Sequence, residues 1–337
     1  MSLNLKYEQK YLKYKNKYLQ LKYVLAQNGT GHSDFPSLKQ LAAEQLPLNS
    51  IEDIMEYIDE YYKDDAKIIE KAIIDTIKYK KLSFSSINQV RFFIDKNIDL
   101  TIIIFDDNFN DQLDQLANIT RLKTFLETLE FRWKFNQELE PLKNITSLTT
   151  LKLGMDFNQS LKPLANLTNL TTLTFGMRFN QQLNPLANLT NLTTLTFGAY
   201  FNKELDHLSN LSKLTTLSLG QNFNQSLKPL AELKNLTTLI LSQNFNQNLD
   251  PLAKLKNLTT LVFGFYFNQT IESLAELKNL TTLIFGQNFN QTIESLAELK
   301  NLTTLIFSQN FNKNLDPLAE LKNLTTLKIG SRFIIKI

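Results

Sequence analysis

Four acidic residues, Asp250, Glu272, Glu294 and Asp316, recur at every 22nd position near the C-terminal end of the chain. If successive repeats stack at the spacing of neighbouring strands, ~4.8 Å, their carboxylates form a column. Such a column could hold a hard cation or supply the acid and base of a hydrolase. The competing reading is electrostatic. Asp250-Pro251 and Asp316-Pro317 look like an N-cap followed by the first helical residue, a place that favours negative charge. Capping is the stronger explanation. Little else offers chemistry: cysteine is absent, which removes disulfides, thiolate nucleophiles and thiolate metal ligands together. His32 and His207 have no partner set, and no Ser-His-Asp spacing, P-loop or glycine-rich dinucleotide turn occurs. No catalytic residue, cofactor or metal is expected, and the chain reads as a non-enzyme. Sequons such as Asn235-Leu236-Thr237 are by-products of a repeat.

That repeat sets the elements that would position any site. Phe-Asn pairs begin at Phe109 and Phe135 and then return at every 22nd position to Phe311, with an eleventh Phe in step at Phe333. Only the first interval, from Phe109 to Phe135, is longer, by four. A period of this length is the signature of a solenoid, in which each coil buries its apolar face on its neighbours. One coil, numbered 1 to 22, runs from Leu170 to Asn191. Leu170, Leu173 and Phe175 (positions 1, 4 and 6) belong to a strand with those side chains inward. Phe179 and Asn180 (10 and 11) follow at a turn, and Leu183 (14) continues the core. Asn184-Pro185-Leu186 opens a short helical turn with Asn as the expected N-cap, and Leu189 (20) closes the core. Of the 24 Phe residues, 18 fall at positions 6 and 10, which predicts stacked aromatic columns inside the coil. The Asn at position 11 is expected to form a buried ladder, each amide accepting from a backbone N–H and donating to a carbonyl of the next coil. The chain stops at Ile337, half a coil past the last repeat, so an open C-terminal edge is expected, with Lys328, Arg332 and Lys336 discouraging edge-to-edge pairing.

The L-x-x-L-x-L strand and the stretch PLANLTNL resemble a 22-residue leucine-rich repeat of the bacterial internalin kind. The Phe-Asn pair preceded by Phe-Gly, as in Phe175-Gly176 and Phe179-Asn180, resembles FNIP repeats, known from social amoebae and from large DNA viruses of amoebae. The lysine-tyrosine start, KYLKYKNKYLQLK, is similar to N-termini common in such viral proteins. The resemblance covers residues 100–337. It implies an α/β repeat solenoid: a curved, parallel, leucine-rich-repeat-like β-solenoid with short helical turns on its convex side. Leucine-rich repeats place Asn at position 9 and an aliphatic at 11, whereas this chain has Phe at 10 and Asn at 11, so the turn after the strand is expected to be rebuilt.

Upstream, residues 1–26 read as a basic amphipathic helix. Tyr7, Tyr11, Tyr14, Tyr18, Leu21 and Leu25 form its heptad seam. Residues 27–36 are a linker by composition, and 37–99 an α-helical region. There Ser50 and Asp53 form a capping-box start ahead of Ile51, Ile54 and Ile58, and further stripes run through Ile69, Ile73, Ile77 and Ile87, Val90, Ile94. The favoured reading of 37–99 is a helical cap for the first coil. The alternative is a degenerate F-box, from the opening Leu46-Pro47.

The net charge of +3 is concentrated in residues 1–25, which carry six Lys and one Glu. The remainder is slightly acidic and lacks the basic field of a nucleic-acid binder. No apolar run reaches the length of roughly 18 residues that a membrane span needs. No secretory leader is visible either, so an intracellular, cytoplasmic protein is expected. Positions 3 and 5, with 8 and 9 just beyond, should face the concave side of the solenoid, where a partner is expected to bind. Position 3 is Thr in ten successive coils, Thr128 to Thr326, read as a β-propensity ladder rather than an ice-binding array. Ile240, Val262, Ile284 and Ile306, with Phe265 and Tyr266 beside them, form one candidate partner patch; strand filler with no ligand is an equal reading. Trp133 and Arg178 mark a second, with contact to the helical cap the favoured alternative. The leading functional reading is a protein-binding scaffold. The alternatives are a substrate-recognition subunit of a ubiquitin ligase, and a structural or virion-associated protein that self-associates through the N-terminal helix or the C-terminal edge.

Overall fold

A computed structural model describes residues 50–55, 74, 77, 81–330 and 332–335. The expected basic helix 1–26, the linker, the Leu46-Pro47 opening, Ile58, Ile69 and Ile73 lie outside these residues. The chain divides into two units, Met1–Phe84 with Phe92–Ile98, and Ser85–Arg91 with Asp99–Ile337.

In the first unit the capping box forms as its spacing implies. The Asp53 N–H donates to Ser50 Oγ at 3.0 Å, and the Ser50 N–H donates to Asp53 Oδ2 at 3.1 Å. This satisfies donors that the start of the helix at 51–55 leaves without partners, and Ile51 and Ile54 are buried behind it. Helix α1 (Ile87–Asp95) has residues assigned to each unit, and its Ile94, in the first, is only half-buried. Phe93 is fully buried instead, edge-on to Phe84 with centroids 5.7 Å apart.

The second unit is a solenoid. Its strands are β1 (Ile102–Phe105), β2 (Thr128–Phe131), β3 (Thr150–Lys152), β4 (Thr172–Thr174), β5 (Thr194–Thr196), β6 (Thr216–Ser218), β7 (Thr238–Ile240), β8 (Thr260–Val262), β9 (Thr282–Ile284), β10 (Thr304–Phe307), β11 (Thr326–Ile329) and β12 (Arg332–Ile335). They form a single sheet in sequence order. From β1 to β11 every pairing is parallel, and Thr at position 3 pairs with Thr at position 3 from β2 onward. Between β3 and β11 each coil returns through one short 3-10 turn, such as Asn184–Asn188. The coil after β1 instead holds two short helices, α2 (Asp114–Ala117) and α3 (Leu122–Phe125), which accommodates the longer first interval between Phe-Asn pairs.

The core is made of columns. Leu170, Leu173, Phe175, Phe179, Leu183, Leu186 and Leu189 are all buried, and the pattern repeats coil after coil. From Phe109 to Phe311 the position-10 rings stack with centroids 6.0–6.3 Å apart. Where position 6 is also Phe, the two rings of one coil lie nearly parallel at 3.7–4.0 Å. Burying each such ring contributes about 1.5–3 kcal/mol.

Three expectations are corrected. The Asn column at position 11 is a ladder, but a solvent-exposed one. Asn136 Oδ1 accepts the backbone N–H of Asn158 at 2.8 Å, and the same bond recurs to Asn312. The donation to a carbonyl comes from the next residue, as when Gln181 Nε2 reaches Asn158 O at 2.9 Å. Position 11 points away from a core already filled by the Phe beside it, so water reaches its amide. Second, residue 15 is not the N-cap. Asn184 and Asp250 open their 3-10 turns after Leu183 and Leu249, neither of which makes a side-chain cap. The side chain at position 13 serves the turn, with Asn248 Oδ1 accepting the Asp250 N–H at 2.6 Å and Asn314 doing the same for Asp316 at 3.0 Å. Third, the edge beyond β11 is not bare. Gly330, at φ +61°, reverses the chain, and β12 pairs antiparallel with β11. Phe333 therefore lies in a returning strand instead of opening another coil, because the left-handed conformation that glycine tolerates redirects the backbone.

Candidate functional site

The site is built on strands whose inward residues are fixed by the core, leaving positions 3 and 5 to the outer face of the sheet. Register sets the neighbours: Ile240 pairs with Val262, Val262 with Ile284, and Ile284 with Ile306. The four expected aliphatics thus lie side by side. Ile240 is 38% exposed, and the other three are half-buried.

The ladder continues past the strands. From Lys134 to Asn288, the N–H of the position-9 residue donates to the position-8 carbonyl of the preceding coil, for example Tyr200 to Met177 at 2.8 Å, Asn222 to Ala199 at 2.7 Å and Tyr266 to Gln243 at 2.9 Å. This holds positions 8 and 9 in register as two rows. Tyr266, 48% exposed, has its ring 4.8 Å from Phe265. Both are brought next to the aliphatic column.

Trp133 and Arg178 are not part of that patch. Trp133, on an early coil, is 60% exposed. Arg178 pairs with Asp156 of the preceding coil at 3.3 Å, and Lys152 pairs with Glu130 at 3.0 Å. The early part of the outer face is therefore charged.

The later part is not. From Thr193–Tyr200 through Thr303–Asn310, positions 2–9 of six successive coils contain no charged residue, in a chain where 20% of residues are charged. The charges of these coils gather around the 3-10 turns. There Lys256, Lys278 and Lys300 reach Glu276, Glu298 and Glu320 of the following coil at 2.5, 2.8 and 3.1 Å. The hydrogen bond from each lysine, with its positive charge, holds the partner carboxyl below the ordinary glutamate range.

Two further ladders were hidden in the sequons. Thr at position 2 donates Oγ1 to the carbonyl of the preceding coil's Thr, as Thr193 does to Thr171 at 3.1 Å. Asn at position 22 donates Nδ2 to the preceding coil, as Asn257 does to Lys234 O at 2.9 Å. The recurrent Asn-Leu-Thr-Thr was the available signal. These columns line a shallow groove of about 900 Å³ that runs past Lys213, Asn235 and Thr237 towards Asn323. Its donors are already engaged in joining coils, so the groove is a seam of the scaffold. The acids Asp250, Glu272, Glu294 and Asp316 do not assemble a metal site, since no group of three or more ligating side chains occurs among the described residues. Among those residues no helix is long and apolar enough to cross a membrane.

In-register parallel strands, one short turn per coil and a continuous leucine and phenylalanine core define a repeat solenoid. Comparison with solved structures assigns its type as a leucine-rich-repeat fold. An internalin (inlF) from Listeria monocytogenes matches with a TM-score of 0.54 over 77% of this chain and 83% of that one, at 24% identity. CroV588, described as a novel circular LRR protein structure, matches with a TM-score of 0.58 and 34% identity over 69% of this chain. This chain covers 34% of CroV588, about a third of its length. No protein-family model matches the chain, and neither does any curated protein.

Proposed function

We propose that the chain is a non-catalytic, protein-binding scaffold that engages its partner through the outer face of the sheet at β7–β10. The observation that carries this is the in-register column Ile240, Val262, Ile284 and Ile306, flanked by Phe265 and the exposed Tyr266. Contiguous apolar side chains on a solvent-facing sheet are unfavourable for an isolated chain and suit a partner that covers them. The leucine-rich-repeat fold supports the reading, because each coil adds one outward-facing row to an extended surface. The Phe-Asn columns further favour an FNIP-like repeat protein of the kind found in amoebae and their large viruses, acting in the cytoplasm.

The test is affinity capture from the cells that express the protein, comparing the native chain with the double substitution Ile284→Lys and Ile306→Lys. Loss of the captured partner with an unchanged melting temperature supports this surface. Capture that persists at native strength removes it. A parallel capture with residues 100–337 alone asks whether the N-terminal region recruits a separate partner, as an adaptor domain would.

A further inference from the structure

We infer that the row Tyr200, Asn222, Asn244, Tyr266 on the outer face is a binding site for a neutral, extended oligosaccharide. This goes beyond the protein-scaffold reading and does not rest on it. All four residues occupy position 9 of consecutive coils, held in register by the backbone ladder described above. The two tyrosine rings stand at the ends, 51% and 48% exposed. Three coil intervals separate them, ~14 Å at the strand spacing.

Between the rings lies a platform of amides. Asn244 Nδ2 donates to Asn222 Oδ1 at 3.2 Å, and in the adjoining row Gln221 Nε2 donates to Gln243 Oε1 at 2.5 Å. Each pair uses one donor and one acceptor of its amides and leaves the remaining hydrogen-bonding capacity of these half-exposed to exposed groups for a ligand. Nearby, the position-3 hydroxyls of Thr216 and Thr238 make no hydrogen bond to any described residue, unlike the position-2 hydroxyls, which are engaged in the seam. The surface thus supplies apolar ring faces, amides and unengaged hydroxyls, with no charged residue on the six-coil strip itself; Arg178, one coil before Tyr200 in the same row, is paired with Asp156.

This combination selects a ligand class. The absence of charge disfavours nucleic acids, phosphorylated ligands and acidic or basic peptides, each of which needs counter-charges. A protein hot spot usually sets its aromatic anchor centrally inside a rim, whereas here the rings are terminal and the centre is polar. A sugar chain offers C–H faces for the rings and hydroxyls for the amides. One pyranose ring in an extended chain is also close in length to one coil, so a repeating polymer can meet a repeating surface without losing register. Two rings three coils apart then require a chain of four sugars to touch both.

The experiment is calorimetric titration of the full chain with neutral β-linked glucose and N-acetylglucosamine oligosaccharides of two to six rings. One series is expected to bind, with affinity rising about tenfold between three and four rings as the second tyrosine is engaged. Tyr200→Ala and Tyr266→Ala should each remove that step while the melting temperature stays at the native value, and raising the salt should leave affinity unchanged. The inference is overturned if no neutral series binds, if affinity shows no step with length, or if a sulfated chain of equal length binds more tightly. It is also overturned if the double variant Tyr200→Ala, Tyr266→Ala binds as the native chain does. A protein captured through Tyr200 when no glycan binds assigns the row to that protein instead. Loss of protein capture in the Ile284→Lys, Ile306→Lys variant is a separate result, so either reading can fail without the other.

Discussion

The strand face and the turn face of the six coils from Thr193 to Lys322 share one backbone and one core, yet they differ in charge. Positions 2–9 of these coils carry no charged side chain, whereas positions 15–21 carry sixteen. The charged turns include the Lys–Glu pairs between successive coils. The interior, which both faces share, is a Leu and Phe set in every coil, with Ile271 and Ile293 taking the place of a Leu in two of them. The lesson is a division of labour. Core columns and hydrogen-bonded seams set stability, the turn face maintains solubility, and the strand face is left free of charge for contact. Stability and binding should therefore separate under mutation.

The largest effect on stability should come from the shared interior. Phe223→Ala opens a cavity in an unbroken ring column, where Phe223 meets Phe201 at 6.1 Å and Phe245 at 6.3 Å. Urea unfolding should show a loss of about 3–5 kcal/mol. A loss near zero would mean that the column fills space without holding coils together.

A seam substitution should cost less. Asn224→Ala deprives the Asn246 N–H and the Gln247 amide of their shared acceptor, Asn224 Oδ1. Because the ladder is exposed and water can take its place, about 1 kcal/mol is expected in the same assay. A cost rivalling that of Phe223→Ala would mean that the exposed ladder carries as much stability as the core.

The turn face should matter least. Glu276, Glu298 and Glu320 titrate below the ordinary glutamate value because their lysine partners favour the charged form. A carboxyl whose pKa is lowered on folding adds stability at neutral pH. That contribution begins to fade near the unfolded value of about 4.3 and is gone once the pH drops below the lowered folded value. Because the pairs are exposed and salt-screened, the contribution is small. Replacing Lys256, Lys278 and Lys300 with Gln should slightly reduce the acid sensitivity of the melting temperature at low salt and leave it unchanged at high salt.

How far the sequence could be read depended on whether a residue's type implied its environment. Phe at positions 6 and 10 could only be core, since so many exposed rings would not stay soluble, and the columns are where the repeat period puts them. Asparagine carries no such information. Its amide suits a buried turn, an exposed ladder or a cap, and positions 11, 13, 15 and 22 separate only once the coils are stacked. The end of the last coil, where Phe333 stands in step with the repeat, was illegible for a related reason, which lies at Gly330. This glycine occupies position 7, where at Gly176 and Gly198 an added Cβ would fall 2.1 and 1.8 Å from the carbonyl oxygen of the preceding coil, although Ser242 and Ser308 take the same position in other coils. At Gly330 the same residue type serves a positive φ instead, and the chain turns back into β12. Among the candidate site residues, the aliphatic column was legible because register follows from the period. The row from Tyr200 to Tyr266 was not, because its members differ in type and become a set only through the backbone ladder that aligns them.

The most direct test of this division is a lysine scan along position 5, from Thr174 and Thr196 through Ser218 to Ile240, Val262, Ile284 and Ile306. Melting temperature and partner binding would be measured on every variant. The account predicts near-constant melting temperatures, with stability changes inside the range of surface substitutions, about 0.5 kcal/mol, and binding lost only for lysine at Ile240 through Ile306. Uniform binding across the scan, or binding that falls in step with melting temperature, would contradict it.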